Sequence, residues 1–351
     1  MPAVSLALSC AEKRVFALLL SWLLSGSQNG ESVVPVANSD AMHANLKNNI
    51  PVNTGVLWGG GGSLSRILSM QANETVNRGV QAWIQSVRPA PLWFLVLAIV
   101  MYMVLAYLGN LVATPSELLP SLPAATGYVI VPTFLNTAPL IIIMGLLLVL
   151  VGRLRCNDFG LIRQRFLPAV VWVLCTWLAA QLFFVLTHLD DISLDPAWHG
   201  RIVKTISNTV TGQMLGNALY EEVFWRAFVM SQVVLLLVHR MKWTFGKALA
   251  WAIILSSILF AVSHLPHDFA HDLSVQKIFG LQVARLAGGL AFAGIFLLSN
   301  NIFIAIGLHS LSNHSLSLFE GSSSVLTQVF ITLVPLLVLV LLAIRRRWAS
   351  G

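Results

Sequence analysis

The chain has 351 residues, of which 57% are hydrophobic and only 10% are charged, with a formal net charge of +7. A soluble globular domain carries about a quarter charged residues, so a soluble core could not hide this much apolar surface and lipid must cover part of it. The positive charge does not point to nucleic acid. Many of the basic residues sit in short clusters beside apolar runs, and no basic stripe with interleaved aromatics stands out. Cys10, Cys156 and Cys175 have no CxxC spacing, so neither a disulfide framework nor a thiolate metal site is indicated.

Residues 1–88 read as an N-terminal extension. The apolar run 15–24 follows Lys13 and Arg14 and precedes Ser-Gly-Ser, which resembles a signal peptide or a short anchor. Residues 28–65 are rich in Asn, Gly, Ser and Val and read as a flexible linker. Residues 67–87 predict a polar, weakly amphipathic interfacial helix. Residues 89–351 read as a polytopic membrane domain. Its apolar segments, 92–113, 128–151, 169–187, 206–238, 248–263, 278–298, 302–319 and 325–344, predict an all-α protein with about eight transmembrane helices. A barrel would need short alternating segments, whereas these are continuously apolar. No internal repeat of the transporter kind is visible.

The basic clusters predict an orientation. Arg153, Arg155, Arg163 and Arg165 follow the second segment. His239, Arg240, Lys242 and Lys247 follow the fourth, and Arg345, Arg346 and Arg347 follow the last. With eight spans all three clusters fall on one side, which the positive-inside bias makes cytoplasmic. Arg88 agrees, and the acidic connection at Asp190, Asp191 and Asp195 then lies outside. If 15–24 crossed the membrane, the first main segment would have to reverse. Short Arg-rich loops predict a multi-pass protein of a bacterial inner membrane.

Ionisable groups inside a span cost about 2.5–3.5 kcal/mol each on the insertion scale, so they mark candidate sites. The fourth segment contains Tyr220-Glu221-Glu222-Val223-Phe224-Trp225-Arg226. Glu222 and Arg226 are one helical turn apart and can pair. Glu221 is rotated by about 100° and is left to face a cavity as a general base. The fifth segment ends in Phe260-Ala261-Val262-Ser263-His264, and the seventh contains His309-Ser310-Leu311-Ser312-Asn313, with His309 and Asn313 on one face. Each motif alone also reads as structure: a buried ion pair, an interfacial His, an interhelical hydrogen bond. His264, His267, Asp268, His271 and Asp272 form a further cluster that reads as a polar loop or as a divalent-ion site.

Together these motifs, in this order on three apolar helices, resemble the CPBP (Abi) family of CAAX prenyl proteases and bacteriocin-processing proteins. They are similar in order to the type II CAAX prenyl endopeptidase. The resemblance covers about residues 155–320, and Asp158-Phe159-Gly160-Leu161 and Asn300-Asn301 fit it. It implies an intramembrane endopeptidase in which Glu221 activates water with help from His264. His309 and Asn313 stabilise the oxyanion, while Glu222, Arg226 and Phe260 support the site. Two chemistries stay open: a metal-free glutamate mechanism, or a divalent metal such as zinc held by Glu221, His264 and His309. The implied partners are membrane lipid and a peptide or protein substrate, either a prenylated CaaX protein or a small secreted peptide, with no nucleic acid. The rival readings are a non-catalytic scaffold or immunity-type protein on the same fold and, less favoured, a transporter. No H-E-x-x-H or G-x-S-x-G motif is present.

Overall fold

The computed structural model describes residues 79–111, 115–189, 192–199, 201–322 and 325–349. The signal-like run, the linker and most of the interfacial helix expected before residue 79 lie outside them. The described chain is all-α: α1 (79–86), α2 (Leu92–Leu111), α3 (Pro132–Val151), α4 (Phe166–Thr187), α5 (Ile202–His239), α6 (Phe245–Val262), α7 (Leu265–Ala270), α8 (Val275–Ser299), α9 (Ile302–Asn313) and α10 (Val325–Ala349). The β contact among the described residues is an isolated bridge between Leu194 and Phe319.

Six described segments are long and apolar enough to cross a membrane: Pro132–Val151, Cys156–Thr187, Ile202–His239, Phe245–Ala270, Val275–Ser299 and Val325–Arg346. Two of the eight expected spans are shorter apolar helices, Leu92–Leu108 and Ile302–Asn313. The protein is therefore a multi-pass membrane protein. Lipid has an obvious place to lie: Leu167, Leu174, Leu178 and Leu182 line one side of α4 and are all exposed.

The expected span 302–319 needs correction, because its helix ends at Asn313. A helix of this length reaches about 18 Å, short of the roughly 30 Å hydrocarbon layer. The chain continues as irregular backbone, which is tolerated at depth only when protein satisfies its polar groups. Trp177 Nε1 donates to the Leu316 carbonyl at 2.6 Å, and Trp198 Nε1 donates to the Ser317 carbonyl at 2.6 Å. Leu318 N donates to Gln181 Oε1 at 2.9 Å, and Asp195 N donates to the Leu318 carbonyl at 2.9 Å. Ser312, Ser315 and Ser317 favour this break, since their hydroxyls compete for backbone partners.

Small residues let the helices close on one another. A Cβ on Gly307 would lie 2.4 Å from Val173 of α4, and one on Gly289 would lie 3.0 Å from Ser257 of α6. The turn between α8 and α9 is the expected Asn-Asn hairpin. Asn300 is left-handed at φ 50, and Asn301 Oδ1 accepts from Phe303 N at 3.1 Å as the cap of α9. Asn301 Nδ2 donates to the Arg165 carbonyl at 2.8 Å, which fastens the turn to the start of α4.

Candidate active site

α5 carries the acidic pair, and it is not a regular helix. Gly216 has φ −106 and ψ −108, outside helical winding, and wider π-type turns flank it on both sides. Such turns are common at functional sites because they re-aim side chains. Beyond the break, the apolar and aromatic neighbours of the pair are packed to near-complete burial. Tyr102 of α2 stacks on Tyr220 at 4.8 Å and on Phe224 at 4.5 Å.

Glu221 and Glu222 point to different partners. Glu222 is fully buried, with Arg226 Nε 3.3 Å from its Oε2 and His309 Nδ1 2.7 Å from its Oε1. A carboxylate only accepts, so His309 donates through Nδ1. Arg226 also lies over the ring of Phe260, 4.2 Å from its centroid, which stabilises a guanidinium whose Nη1 and Nη2 have no hydrogen-bond partner among the described residues. Glu221 sits between two imidazoles. His264 Nε2 is 3.5 Å from Oε1, and His309 Nε2 is 3.4 Å from Oε2.

The rings of both histidines are fixed from behind. His264 Nδ1 donates to the Phe260 carbonyl at 2.8 Å, which settles its tautomer and turns Nε2 towards Glu221. His309 is held by Glu222 on one edge and by Phe292, stacked at 4.6 Å, on its face. The i,i+4 spacing from Phe260 to His264 thus has a physical meaning: it supplies both the carbonyl anchor of one histidine and the platform for Arg226.

The structure brings Glu221, Glu222, Arg226, Phe260, His264 and His309 together. Asn313 lies one turn beyond His309, exposed, with Nδ2 donating to Gln213 Oε1 at 3.1 Å. Beyond it a polar cavity of about 280 Å³ is lined by Asp195, Arg201, Lys204, Asn208 and His314 among others. His314 Nδ1 lies 3.1 Å from Thr209 Oγ1.

Two residues of the site escape the sequence reading. Gln213 had a signal, being a polar side chain inside an apolar segment two turns before Glu221. Phe292 had none. The His/Asp cluster after α6 is mostly structural: Asp268 is buried and held by Arg285, whose Nη2 donates to Oδ1 at 2.8 Å, and by Gln282 Nε2 at 3.0 Å. Among the described residues no group of three His, Cys, Asp or Glu side chains is arranged to hold a metal ion. The two imidazoles address different oxygens of Glu221.

Residues 208–315 match the family described as Type II CAAX prenyl endopeptidase Rce1-like. The match begins at the loosened half of α5, spans the Glu221, His264 and His309 motifs, and ends two residues after Asn313. No curated protein and no solved structure matches the chain.

Proposed function

We propose that the chain is an intramembrane endopeptidase of the CPBP, or CAAX-protease, type, and that it cuts peptide bonds with a water activated by Glu221. The observation that carries this reading is the placement of one buried carboxylate between two imidazole Nε2 atoms at 3.4 and 3.5 Å. Glu221 takes the proton of a water that His264 Nε2 orients, and the resulting hydroxide attacks the scissile carbonyl. As the imidazolium, with Nδ1–H on Glu222, His309 offers Nε2–H to the oxyanion, and Asn313 offers the second proton of its Nδ2. Glu221 then returns the proton to the leaving amine. Glu222 and Arg226 hold His309 and the helix in register and take no part in the proton transfers.

We favour the metal-free form of this chemistry, because the two imidazole Nε2 atoms face different oxygens of Glu221. A divalent metal on Glu221, His264 and His309 is the competing form. Chelator treatment followed by elemental analysis separates them: stoichiometric zinc that disappears in His264→Ala overturns the metal-free form. The substrate is a peptide segment at the membrane, either the C-terminus of a prenylated CaaX protein or a small secreted peptide. The eight crossings combine the six long helices with α2 and with α9 plus its irregular continuation. The basic clusters support a bacterial inner membrane. Residues 1–88 precede the protease-like core as an extension, whose stretch 79–88 packs against that core through Val80, Trp83 and Ile84. The deciding experiment is Glu221→Gln, which keeps size and hydrogen bonding but cannot accept the proton. It should fold as the parent does and lose about 10²–10⁴ in turnover. Full proteolytic activity in this variant sinks the reading, and the non-catalytic scaffold on the same fold takes its place.

A further inference from the structure

The helix directions and the charge of the connections bear on which side of the membrane the protease works. α3 ends at the Arg153 and Arg155 connection, and α4 starts just after Arg163 and Arg165. The hairpin between α5 and α6 holds Arg240 and Lys242, and α10 runs out into Arg345 and Arg346. These ends share one face. Arg88, ahead of α2, donates to the Arg153 carbonyl at 2.7 Å, and Arg165 Nη1 donates to Asn300 Oδ1 at 3.1 Å in the turn between α8 and α9. The acid on this face, Asp158, is buried against the backbone nitrogens of Arg88 and Arg155. At the opposite ends Arg201, Lys204 and Lys277 are offset by Glu117, Asp195, Asp272 and Glu320, so that face has no excess of positive charge.

The catalytic residues are not placed evenly between these faces. α6 and α9 both start at the basic face, and each delivers its site residue at its far end: His264 follows Ser263, the C-cap of α6, and Asn313 is the last residue of α9. Towards the basic face, α5 continues from Glu221 through Phe224, Trp225, Arg226 and Phe228, all buried, with Tyr102 stacked across them. In that direction the site is sealed. Away from the basic face the side chains become accessible: the His264 side chain is 25% exposed against 7% for Glu221. Gln213, Asn313 and then the polar cavity at Arg201, Lys204 and His314 follow.

Positive charge marks the cytoplasmic side of a multi-pass protein. We propose that the catalytic chamber opens on the extracytoplasmic face, so that its substrate is a peptide segment exposed or exported on that side rather than the cytosolic C-terminus of a prenylated protein. This deepens the protease reading and rests on it for the word substrate, but the sidedness stands on helix direction and charge alone.

The chain supplies its own reference for the test. Cys156 is a free, exposed thiol on the basic face. Lys204, exposed at the cavity, becomes the second probe as Lys204→Cys, in a chain carrying Cys10→Ser and Cys175→Ser. A membrane-impermeant maleimide applied to intact cells should label Lys204→Cys and leave Cys156 unlabelled, and inverted vesicles should give the reverse. Labelling of Cys156 from outside, or of Lys204→Cys only from inside, overturns the proposal. In parallel, quenched-fluorescent apolar peptides that do not cross membranes should be cleaved by intact cells several-fold faster than by inverted vesicles, and not at all by Glu221→Gln. Cleavage confined to inverted vesicles also overturns it. If neither preparation cleaves, the protease reading has failed, and the labelling still decides the sidedness.

Discussion

The two halves of α5 differ in nearly every physical respect. Ile202–Asn217 is rich in Thr, Asn, Gln and Gly, wound loosely and broken at Gly216, with Ile202, Val203 and Leu215 exposed. Ala218–His239 is apolar between its charges and buried almost throughout, with Trp225, Phe224 and Arg226 among its fully enclosed side chains. The packed half encloses Glu222 and Arg226 completely, which stiffens the position of Glu221 and His309. The loosened half supplies polar side chains and the space a peptide needs beside them. Rigid placement of the reacting groups and access to them are thus divided between consecutive stretches of one helix.

Two substitutions attack the packed half and the site it supports. Arg226→Ala leaves Glu222 buried with only His309 for company. Removing one partner of a buried pair costs about 3–5 kcal/mol, so the variant should accumulate poorly and lose its cooperative melting transition in detergent. Normal accumulation with loss of turnover would instead make Arg226 a residue that meets substrate. Asn313→Ala tests the border between the halves. It deletes one oxyanion donor from an exposed position, so turnover should fall by about 10²–10³ with KM nearly unchanged. An equal rise in KM would mean that Asn313 holds the ground-state peptide.

The same contrast explains what the sequence makes legible. Contacts made within one turn are readable: Glu222 with Arg226, Phe260 with His264, and the capped Asn300-Asn301 turn all follow from spacing and local hydrogen bonding. Their distant partners are not. His309 reaches Glu222 from another helix, and Asp268 finds Arg285 and Gln282 on α8. The end of α9 at Asn313 depends on Trp177, Gln181 and Trp198, which no window around residue 313 contains. The apolar run 302–319 therefore reads as one helix although its last third is irregular, with the backbone at Leu316, Ser317 and Leu318 served by other elements.

Gly216 offers a smaller perturbation, aimed at the break itself. A Cβ there would lie 2.7 Å from Thr137 Oγ1 on α3. That hydroxyl is held in place by its bond to the Thr133 carbonyl at 2.8 Å. Gly216→Ala should lower stability by about 1–3 kcal/mol through overpacking, read as a drop in melting temperature. Adding Thr137→Ala should restore much of the loss. If the double variant melts no higher than the single one, the cost comes from the backbone of the break and not from the approach of α3.

Gln213 gives the smallest effect and the sharpest question about the loosened half. Its Oε1 accepts from Asn313 Nδ2 at 3.1 Å, across 100 residues of sequence and at an exposed site. A hydrogen bond of this kind contributes about 0.5–1.5 kcal/mol net. Without it the Asn313 amide samples other rotamers, and its donor points at the oxyanion for a smaller share of the time. Gln213 touches no reacting atom in the proposed mechanism, so it is a positioning residue. Gln213→Ala should lower kcat by about 2–10-fold, the equivalent of that free energy, and leave KM unchanged. Gln213→Glu keeps an acceptor at the same reach and should recover much of the rate, and in an Asn313→Ala background neither change at Gln213 should matter. Additive losses in the double variant would show that Gln213 acts on the substrate directly, and the loosened half of α5 would then be part of the binding surface rather than a support for Asn313.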